Sequence, residues 1–300
     1  MKKIFLTLAL ALVAQMGIAQ THTTYELRYS SNPADFKTYD TQRIRSMFAI
    51  TNLFEADKIH CVYSMDDRFI TGGALPVATP LLLETGDCLK APNFLSRREI
   101  GIVNVGGKGT VKVGNKSYTL DYKEALYVGC GKDEITFISD NPSKPARFYF
   151  NSTTAHKNFP TRKITLKDAN NINAGSLKDS NERTIHQLIV NNLFETCQLQ
   201  MGMTELKPGS VWNTMPAHTH MRRMETYFYF EVPENQAVAH IMGEPQESRL
   251  MWLHNEEAVI NPAWSIHCAA GTSNYIFIWG MGGENLDYND MDKVYPLDIK

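Results

Sequence analysis

Apolar and polar residues alternate in short runs through much of this chain. Between residues 80 and 150, five apolar runs are separated by stretches that contain Gly, Asn or Asp. Such spacing is typical of β-strands joined by tight turns, and a Gly-Asn pair favours a two-residue hairpin. The pattern predicts strands at 102–105, 109–113, 117–120, 125–128 and 135–138, with a hairpin turn at Gly114-Asn115.

A second strand-rich stretch extends from about residue 183 to residue 280, while Thr41 to Phe48 has the pattern of a short helix. Each strand-rich half is long enough for a small barrel. We therefore expect an all-β protein with a few short helices, built from two β-barrels. The predicted boundaries are residues 20–160 for the N-terminal barrel and residues 161–300 for the C-terminal barrel.

The first nineteen residues differ from the rest of the chain. Lys2 and Lys3 precede an apolar run from Ile4 to Ala14, and Gly17-Ile18-Ala19 supplies small residues at a cleavage site. These are the features of a secretory signal peptide. We expect cleavage after Ala19 and export of the mature chain to the periplasm or the cell exterior.

Composition and charge exclude several classes of protein. A hydrophobic content of 43% argues against disorder, and a net charge of −2 gives no electrostatic reason to expect a nucleic-acid partner. After the leader, no run of about twenty apolar residues occurs, so we expect no membrane span in the mature chain. The five cysteines are widely spaced and odd in number, which favours buried free thiols over a disulfide framework.

The strongest candidate for chemistry is a group of metal-ligand side chains in the C-terminal half. His218 and His220 are two positions apart, so their side chains point to the same face of a strand. Glu225 is an odd number of positions from His220, and a turn or bulge through residues 221–224 would return it to that face. His267 follows a Pro-containing turn and precedes another strand. Imidazole and carboxylate together suit Zn²⁺, Fe²⁺ or Mn²⁺ and leave room for water or substrate.

These residues also have an ordinary structural explanation. An isolated His-x-His on a strand is more often surface alternation or local hydrogen bonding, but Glu225 at short range strengthens the metal interpretation. Two ligand-bearing strand segments, separated by other strands, are the arrangement with which a cupin barrel builds its metal site. The N-terminal half has no His-x-His, so we expect its barrel to lack a metal site. His156 and His186 stand alone and are expected to be structural.

Both segments that carry these ligands resemble the 5-keto-4-deoxyuronate isomerase (KduI) family. The first is Gly209–Glu225, which contains Trp-Asn-Thr-Met-Pro-Ala-His-Thr-His, and the second is Asn261–Thr272. In the N-terminal half, Phe94–Gly101 is similar to the same family, and the similarity covers nearly all of the mature chain. The resemblance implies a two-barrel cupin fold (a bicupin) and a homo-oligomer, with the hexamer as the form carried over from relatives. It also implies one Zn²⁺ per chain in the C-terminal barrel, with the ligands His218, His220, Glu225 and His267.

The resemblance further implies a ketol isomerase of uronate catabolism. Its substrate would be 5-dehydro-4-deoxy-D-glucuronate, from fragments that lyases release from pectin or glycosaminoglycans, and its product would be 3-deoxy-D-glycero-2,5-hexodiulosonate. A divalent metal can polarise the carbonyl and hydroxyl oxygens while a base moves a proton between neighbouring carbons. The residues do not identify this base. An exported location departs from the relatives, which are taken as cytoplasmic.

The substrate carboxylate needs a cationic partner, and the planar fork of arginine suits bidentate pairing. Arg222 and Arg223 lie between the ligands and are the candidates, with surface or interface ion pairs as their alternative role. Two other functions are compatible with the same ligand set, an Fe²⁺ cupin dioxygenase and a non-catalytic sugar-binding cupin. Oxygen dependence and product formation would distinguish these from an isomerase.

Overall fold

The structure, a computed structural model, describes residues 22–284 and 286–300. The expected signal peptide, with its cleavage site at Ala19, lies outside the described residues. The described part is mostly β, as expected, with two short α-helices, α1 (Pro33–Phe36) and α2 (Thr41–Phe48). None of the helices in this part is long and apolar enough to cross a membrane.

Helix α2 confirms the helix predicted at residues 41–48. Its first turn is capped by Asp40, whose carboxylate accepts a hydrogen bond of 2.8 Å from the backbone N–H of Arg43. Ile44 and Phe48 lie four positions apart on one face, and both are buried. The helix is therefore amphipathic and packs its apolar face against the rest of the protein.

Twelve strands precede residue 165 in the described chain. They are β1 (Thr23–Arg28), β2 (Ala49–Ile50), β3 (Ile59–Ser64), β4 (Ile70–Ala74), β5 (Leu81–Leu82), β6 (Arg98–Asn104), β7 (Gly109–Val113), β8 (Lys116–Leu120), β9 (Ala125–Val128), β10 (Ile135–Ser139), β11 (Phe148–Thr154) and β12 (Arg162–Ile164). The five strands predicted between residues 102 and 138 correspond to β6 to β10. Strands β7 and β8 form the predicted hairpin, and Gly114 in its turn has a φ of 56°, which glycine adopts without strain.

The rest of the described chain adds twelve more strands. They are β13 (Asn170–Ala174), β14 (Arg183–Ile189), β15 (Gln200–Leu206), β16 (Trp212–Asn213), β17 (Ala217–Thr219), β18 (Arg223–Phe230), β19 (Val238–Gly243), β20 (Arg249–Leu253), β21 (Glu257–Asn261), β22 (Ile266–Gly271), β23 (Ile276–Gly283) and β24 (Asp292–Val294). Strands β14 to β23 account for the strand-rich stretch that the sequence predicts between residues 183 and 280.

Each half of the protein pairs a seven-stranded sheet with a four-stranded sheet. The N-terminal half has the orders β1-β3-β4-β11-β6-β9-β12 and β5-β10-β7-β8, and the C-terminal half has the orders β13-β14-β15-β23-β18-β21-β2 and β16-β22-β19-β20. Strands β17 and β24 form a separate two-stranded ribbon. In the N-terminal half, one apolar core contains side chains from both sheets, among them Ile100 and Phe148 from the larger and Val111 and Phe137 from the smaller.

The two halves exchange edge strands. Strand β2, which lies between β1 and β3 in the chain, pairs with β21 of the C-terminal half, and β12, which follows residue 160, pairs with β9 of the N-terminal half. Helix α2 also lies against the C-terminal half, where Nη1 of Arg45 donates a hydrogen bond of 2.6 Å to the carbonyl of Trp252. The domain boundary after residue 160 stays a prediction, and the sheets extend across it in both directions.

Strand β18 is buried along its whole length because both of its faces are covered. Phe228 and Thr226 face the N-terminal half, where Phe228 stacks on Tyr149 with the ring centroids 4.4 Å apart. Glu225 and Tyr227 point the opposite way, into the interior of the C-terminal half. The strand therefore packs against the N-terminal half on one face, and on its other face Glu225 and Tyr227 reach the candidate site.

Candidate metal centre

Three of the four predicted ligands lie on strands of the C-terminal half, and the fourth lies between two of these strands. His218 lies on β17, Glu225 on β18 and His267 on β22, while His220 lies between β17 and β18. The chain turns at residues 221 and 222, as the odd spacing of Glu225 requires. The turn predicted from the spacing is therefore present, and the structure brings all four side chains together.

The ligand atoms of these residues converge on a common point. All four lie within 4.8 Å of one another. Oε2 of Glu225 lies 3.0 Å from Nε2 of His220 and 2.8 Å from Nε2 of His267, and the Nε2 atoms of His267 and His218 are 3.1 Å apart. Ligands placed tetrahedrally at the usual zinc distances lie about 3.3 Å from one another. The donor set therefore fits a single divalent ion, and its three nitrogens and one oxygen suit Zn²⁺, Fe²⁺ or Mn²⁺.

Backbone carbonyls orient two of the imidazoles. Nδ1 of His220 lies 2.9 Å from the carbonyl of Arg223, and Nδ1 of His267 lies 3.2 Å from the carbonyl of Ser265. A carbonyl can only accept, so each Nδ1 carries the proton and donates it. This tautomer leaves the lone pair of each Nε2 directed at the common point, as metal-ligating histidines require.

The electrostatics of the site also favour a bound cation. Burial raises the pKa of Glu225, but the neighbouring His267 and the hydrogen bonds from both imidazoles outweigh it and hold this pKa well below its usual range. Burial and the nearby His267 lower the pKa of His218 well below that of a free imidazole. A carboxylate and a neutral imidazole are the forms that bind a metal ion.

A cavity of about 300 Å³ opens beside the cluster. His218, the most exposed of the four ligands, and Glu225 both line it. The other lining residues are mostly apolar or aromatic, with a few polar groups, and they are Arg183, Ile185, Thr204, Thr214, Met215, Pro216, Tyr227, Phe277, Trp279, Met281, Tyr288, Met291 and Lys293. An apolar pocket with a few convergent polar groups is the usual form of a small-molecule site.

Two cationic side chains that line this cavity, Arg183 and Lys293, were not predicted from the sequence. Arg183 begins β14, far from the ligand motif in the chain, and Nη1 donates to the carbonyl of Asn181 at 2.8 Å. Lys293 lies on β24 directly opposite His218 in the antiparallel ribbon. Both arrive through long-range strand pairing, so no local spacing relates them to the histidines.

The sequence-predicted arginines lie outside this lining. Arg222 is exposed at the turn that follows β17. Arg223 is buried, and its guanidinium donates hydrogen bonds to the carbonyls of Asp287 (2.9 Å), Tyr288 (3.2 Å) and Asp290 (3.2 Å). A role for either arginine in substrate binding stays a prediction. The contacts of Arg223 indicate a structural role, since it anchors the segment that carries Tyr288 over the cavity.

The Arg223→Met variant is expected to lose stability. Methionine has a similar length but no charge, so the three carbonyls lose their donors, and hydrogen bonds from a charged group contribute about 1.5–3 kcal/mol each. We expect the free energy of unfolding to fall by about 2 kcal/mol or more. Thermal denaturation of the metal-loaded protein measures the change, and Arg222→Met, at the exposed neighbour, is the control. Equal melting temperatures for the two variants would contradict the anchoring role.

Other histidines and cysteines do not join the cluster. His186 has its Nδ1 2.5 Å from Oδ1 of Asn171, and His156 is exposed. All five cysteines are free, as expected; Cys61, Cys197 and Cys268 are also buried, whereas Cys88 and Cys130 are partly exposed. Cys268 follows His267 in β22, and alternation along the strand keeps it out of the ligand group.

Comparison with known sequences identifies the family. The sequence model of the KduI/IolB family matches residues 49–294. The chain is 58% identical over 278 residues to the 4-deoxy-L-threo-5-hexosulose-uronate ketol-isomerase 1 of Bacteroides thetaiotaomicron, a match that covers 93% of this chain and 99% of the relative. It is 57% identical over 270 residues to the ketol-isomerase of the same name from Formosa agariphila, with 90% and 96% of the two chains covered.

Solved structures show the same architecture at low sequence identity. An IolB-like protein from Salmonella typhimurium superposes with a TM-score of 0.61 at 14% identity, over 75% of this chain and 87% of that one. Oxalate decarboxylase from Lactobacillus farciminis, a bicupin, superposes with a TM-score of 0.52 at 8% identity, over 76% and 79%. The expected bicupin fold is confirmed, and the chain belongs to the KduI/IolB family.

Proposed function

We propose that this protein is a 4-deoxy-L-threo-5-hexosulose-uronate ketol-isomerase, an enzyme of uronate catabolism. The observation that carries the proposal is the identity of 58% to such an isomerase over 99% of its length. The site supports it, because the cluster of His218, His220, Glu225 and His267 borders a mostly apolar cavity that is also lined by the cationic side chains of Arg183 and Lys293. A uronate has a carboxylate and several oxygens, and this cavity offers partners for both.

We infer that the cluster holds one Zn²⁺ per chain. When bound, a divalent ion would polarise the carbonyl and hydroxyl oxygens of the substrate. The support is the donor set of three imidazoles and one carboxylate, with two imidazoles held in the ligating tautomer by backbone carbonyls. Elemental analysis of the purified protein would identify the metal, and Fe²⁺ or Mn²⁺ in its place would overturn the zinc assignment.

We infer that Arg183 is the partner of the substrate carboxylate. Its side chain lines the cavity, and the hydrogen bond from Nη1 to the carbonyl of Asn181 leaves Nη2 and Nε to bind a ligand. A planar guanidinium binds a carboxylate with two parallel hydrogen bonds. The sequence favours Arg222 or Arg223 for this role, but neither lines the cavity. A carboxylate fixed at Arg183 would orient the other end of the sugar towards the cluster.

Phenol groups in the cavity are suited to donate hydrogen bonds. Burial, together with the charge of Glu225, raises the pKa of both Tyr227 and Tyr288, so both phenols stay protonated near neutral pH. The Tyr227 hydroxyl is 2.9 Å from Oγ1 of Thr214, which fixes its orientation. Donors of this kind stabilise oxygens on which negative charge develops. The apolar walls meanwhile exclude water from the reacting carbons.

The reaction moves a carbonyl group to the neighbouring carbon without an external oxidant. A proton leaves the hydroxyl-bearing carbon, a proton returns to the former carbonyl carbon, and the two oxygens exchange carbonyl and hydroxyl character. Incubation with the unsaturated uronate released by a pectin or glycosaminoglycan lyase, followed by NMR of the sugar, tests this directly. We expect conversion at a normal rate without oxygen, and in D₂O some deuterium at the receiving carbon when the base exchanges with solvent.

The alternative functions give different outcomes in the same experiment. Strict dependence on O₂, with a product heavier by one or two oxygen atoms, would establish a dioxygenase. Binding of the uronate with no product from metal-loaded protein would establish a sugar-binding cupin. Either result would overturn the isomerase proposal.

We also infer that the chain is exported. The support is the sequence Met1-Lys2-Lys3, the apolar run to Ala14 and the small residues ending at Ala19. The mature protein in its native cell is expected to begin at Gln20 and to be found outside the cytoplasm. Cell fractionation with N-terminal mass spectrometry checks this, and an intact Met1 on cytoplasmic protein would refute it.

We infer, from the family resemblance, that the protein forms a homo-oligomer and that the hexamer is its form. Light scattering coupled to gel filtration measures the mass of the particle. A monomer of the 33.9 kDa chain would contradict the inference.

A further inference from the structure

Arg98 is a buried cation in the N-terminal half, far from the ligands in sequence. The residue is 5% exposed. Nε donates to Oγ of Ser152 at 3.1 Å, and Nη2 donates to the carbonyls of Ser152 (2.8 Å) and Arg68 (2.6 Å). Within the described residues, these three contacts leave Nη1 with no hydrogen-bond partner. Burial lowers the pKa of Arg98 to about 10, so the guanidinium is charged at neutral pH.

No carboxylate pairs with this charge among residues 22–284 and 286–300. The groups with the largest influence on Arg98 after burial are the phenols of Tyr63 and Tyr25 and the thiols of Cys61 and Cys88. A buried charge without a counterion is unfavourable, so arginines in this position are normally paired.

The carboxylate next in the chain is engaged elsewhere. Glu99 points to the other face of β6, where its two oxygens accept hydrogen bonds from the hydroxyl of Tyr127 and the backbone N–H groups of residues 197–199, at 2.6–2.9 Å. These four donors occupy the carboxylate. Arg98 therefore lacks the obvious internal counterion that its sequence neighbour would supply.

Arg98 lines a cavity of about 420 Å³ that shares no lining residue with the cavity beside the metal cluster. Arg68 and Arg97 also line it, and both are exposed, so they lie towards solvent while Arg98 is buried. Phe94 and Tyr63 contribute buried aromatic walls. Among the residues that the structure describes, no acidic side chain lines this cavity. The guanidinium of Arg98 therefore lies at the buried end of the cavity, and those of Arg68 and Arg97 lie at its exposed end.

We propose that this cavity binds a small carboxylic acid of the uronate class. The ligand carboxylate accepts hydrogen bonds from Nη1 of Arg98 and supplies the missing negative charge. The planar guanidinium of Arg98 can pair with one carboxylate, while the positive charges of Arg68 and Arg97 attract the anion from solvent. The aromatic walls provide apolar surface for the C–H groups of a sugar ring. The choice of a uronate rests on the proposed function, whereas the anion site rests on Arg98 alone.

Cys88 gives a local readout of binding because it lines the cavity and is partly exposed. Alkylation of the holoenzyme with N-ethylmaleimide, followed by peptide mass spectrometry, reports the rate at Cys88. We expect D-glucuronate to slow this rate, while Cys130, partly exposed outside the cavity, reacts unchanged. Methyl glucoside, which lacks the carboxylate, should give no protection. Titration calorimetry of the same mixtures measures the dissociation constant.

Two variants test the assignment of the arginines. Arg98→Met should raise the dissociation constant for D-glucuronate at this site at least about tenfold, the value of one charge-assisted hydrogen bond. Arg68→Ser changes only an exposed side chain, so it keeps the fold and should weaken binding in the same direction. Arg43→Ser, at an exposed arginine on α2, is the control. Turnover of the isomerase substrate should be unchanged in the exposed variants.

The outcomes separate this proposal from the proposed function. Protection of Cys88 by D-glucuronate that disappears in the arginine variants supports the second site, whether or not the protein isomerises a uronate. Protection by inorganic phosphate but not by D-glucuronate would overturn the carboxylate assignment. Equal alkylation rates with and without D-glucuronate, together with calorimetric binding that the variants leave unchanged, would overturn the site.

Discussion

The His220→Ala variant is expected to lose its metal and nearly all of its activity while it stays folded. His220 supplies one of four donors, and its Nε2 lies 3.0 Å from Oε2 of Glu225. Loss of a ligand or of its supporting contact weakens metal affinity by at least about 10–100-fold. A metal that polarises substrate oxygens contributes several kcal/mol to catalysis, so we expect kcat/KM to fall by more than about 100-fold.

Elemental analysis after dialysis, with an activity assay on the same sample, checks this result. The fold should survive because the N-terminal core and the contact of Tyr149 with Phe228 are untouched. His254→Ala is the matched control, since the His254 side chain is exposed and lies outside the cluster. Normal metal content in a folded His220→Ala protein would refute the assignment of the site.

The Arg183→Met variant is expected to bind substrate poorly with normal metal content. Removal of a charge-assisted pair with the substrate carboxylate costs about 1.5–3 kcal/mol, which corresponds to a loss of about 10–100-fold in kcat/KM, mainly through KM. Arg183→Lys keeps the charge but loses the planar fork, so it should recover only part of this loss. Steady-state kinetics with the NMR assay provide the measurement.

Arg222→Met is the informative comparison for Arg183. Arg222 is exposed and lies outside the cavity lining, so its variant should keep the kinetics of the unmodified enzyme. If Arg222→Met raises KM and Arg183→Met does not, the carboxylate pairs with the arginine that the sequence favours. Unchanged metal content in both variants would confirm that substrate binding alone has been altered.

The group of candidate metal ligands could be predicted from the sequence because three of its four members lie close together in the chain. His218 and His220 share a strand face by their spacing of two, and Glu225 follows within one turn. The remote ligand, His267, is a weak signal by itself and was identified because its segment, Asn261–Thr272, resembles the KduI family. Strands β6 to β10 of the N-terminal half could also be predicted, because apolar runs separated by turn residues mark them, whereas β1 to β5, β11 and β12 were not predicted.

The cationic lining of the cavity could not be predicted, because strand pairing between distant parts of the chain builds it. Lys293 reaches the site only through the pairing of β24 with β17, and Arg183 only through its place at the start of β14. The anchoring role of Arg223 depends on carbonyls more than sixty residues later in the chain. These contacts join residues that are far apart in the chain, so no regular spacing in the sequence indicates them. Proximity to a motif, which favoured Arg222 and Arg223, was a poor guide to cavity lining.

The exchange of edge strands between the halves has a consequence for dissecting the protein. Division of the gene after residue 160 would separate β2 from β21 and β12 from β9. Each product would then carry a strand with a row of unpaired N–H and C=O groups along one side, which is a template for pairing with another chain. We expect the two products to aggregate when expressed apart and to form a soluble complex only when co-expressed. The short strands β2 and β12 thus protect the protein from self-association as much as they hold its halves together.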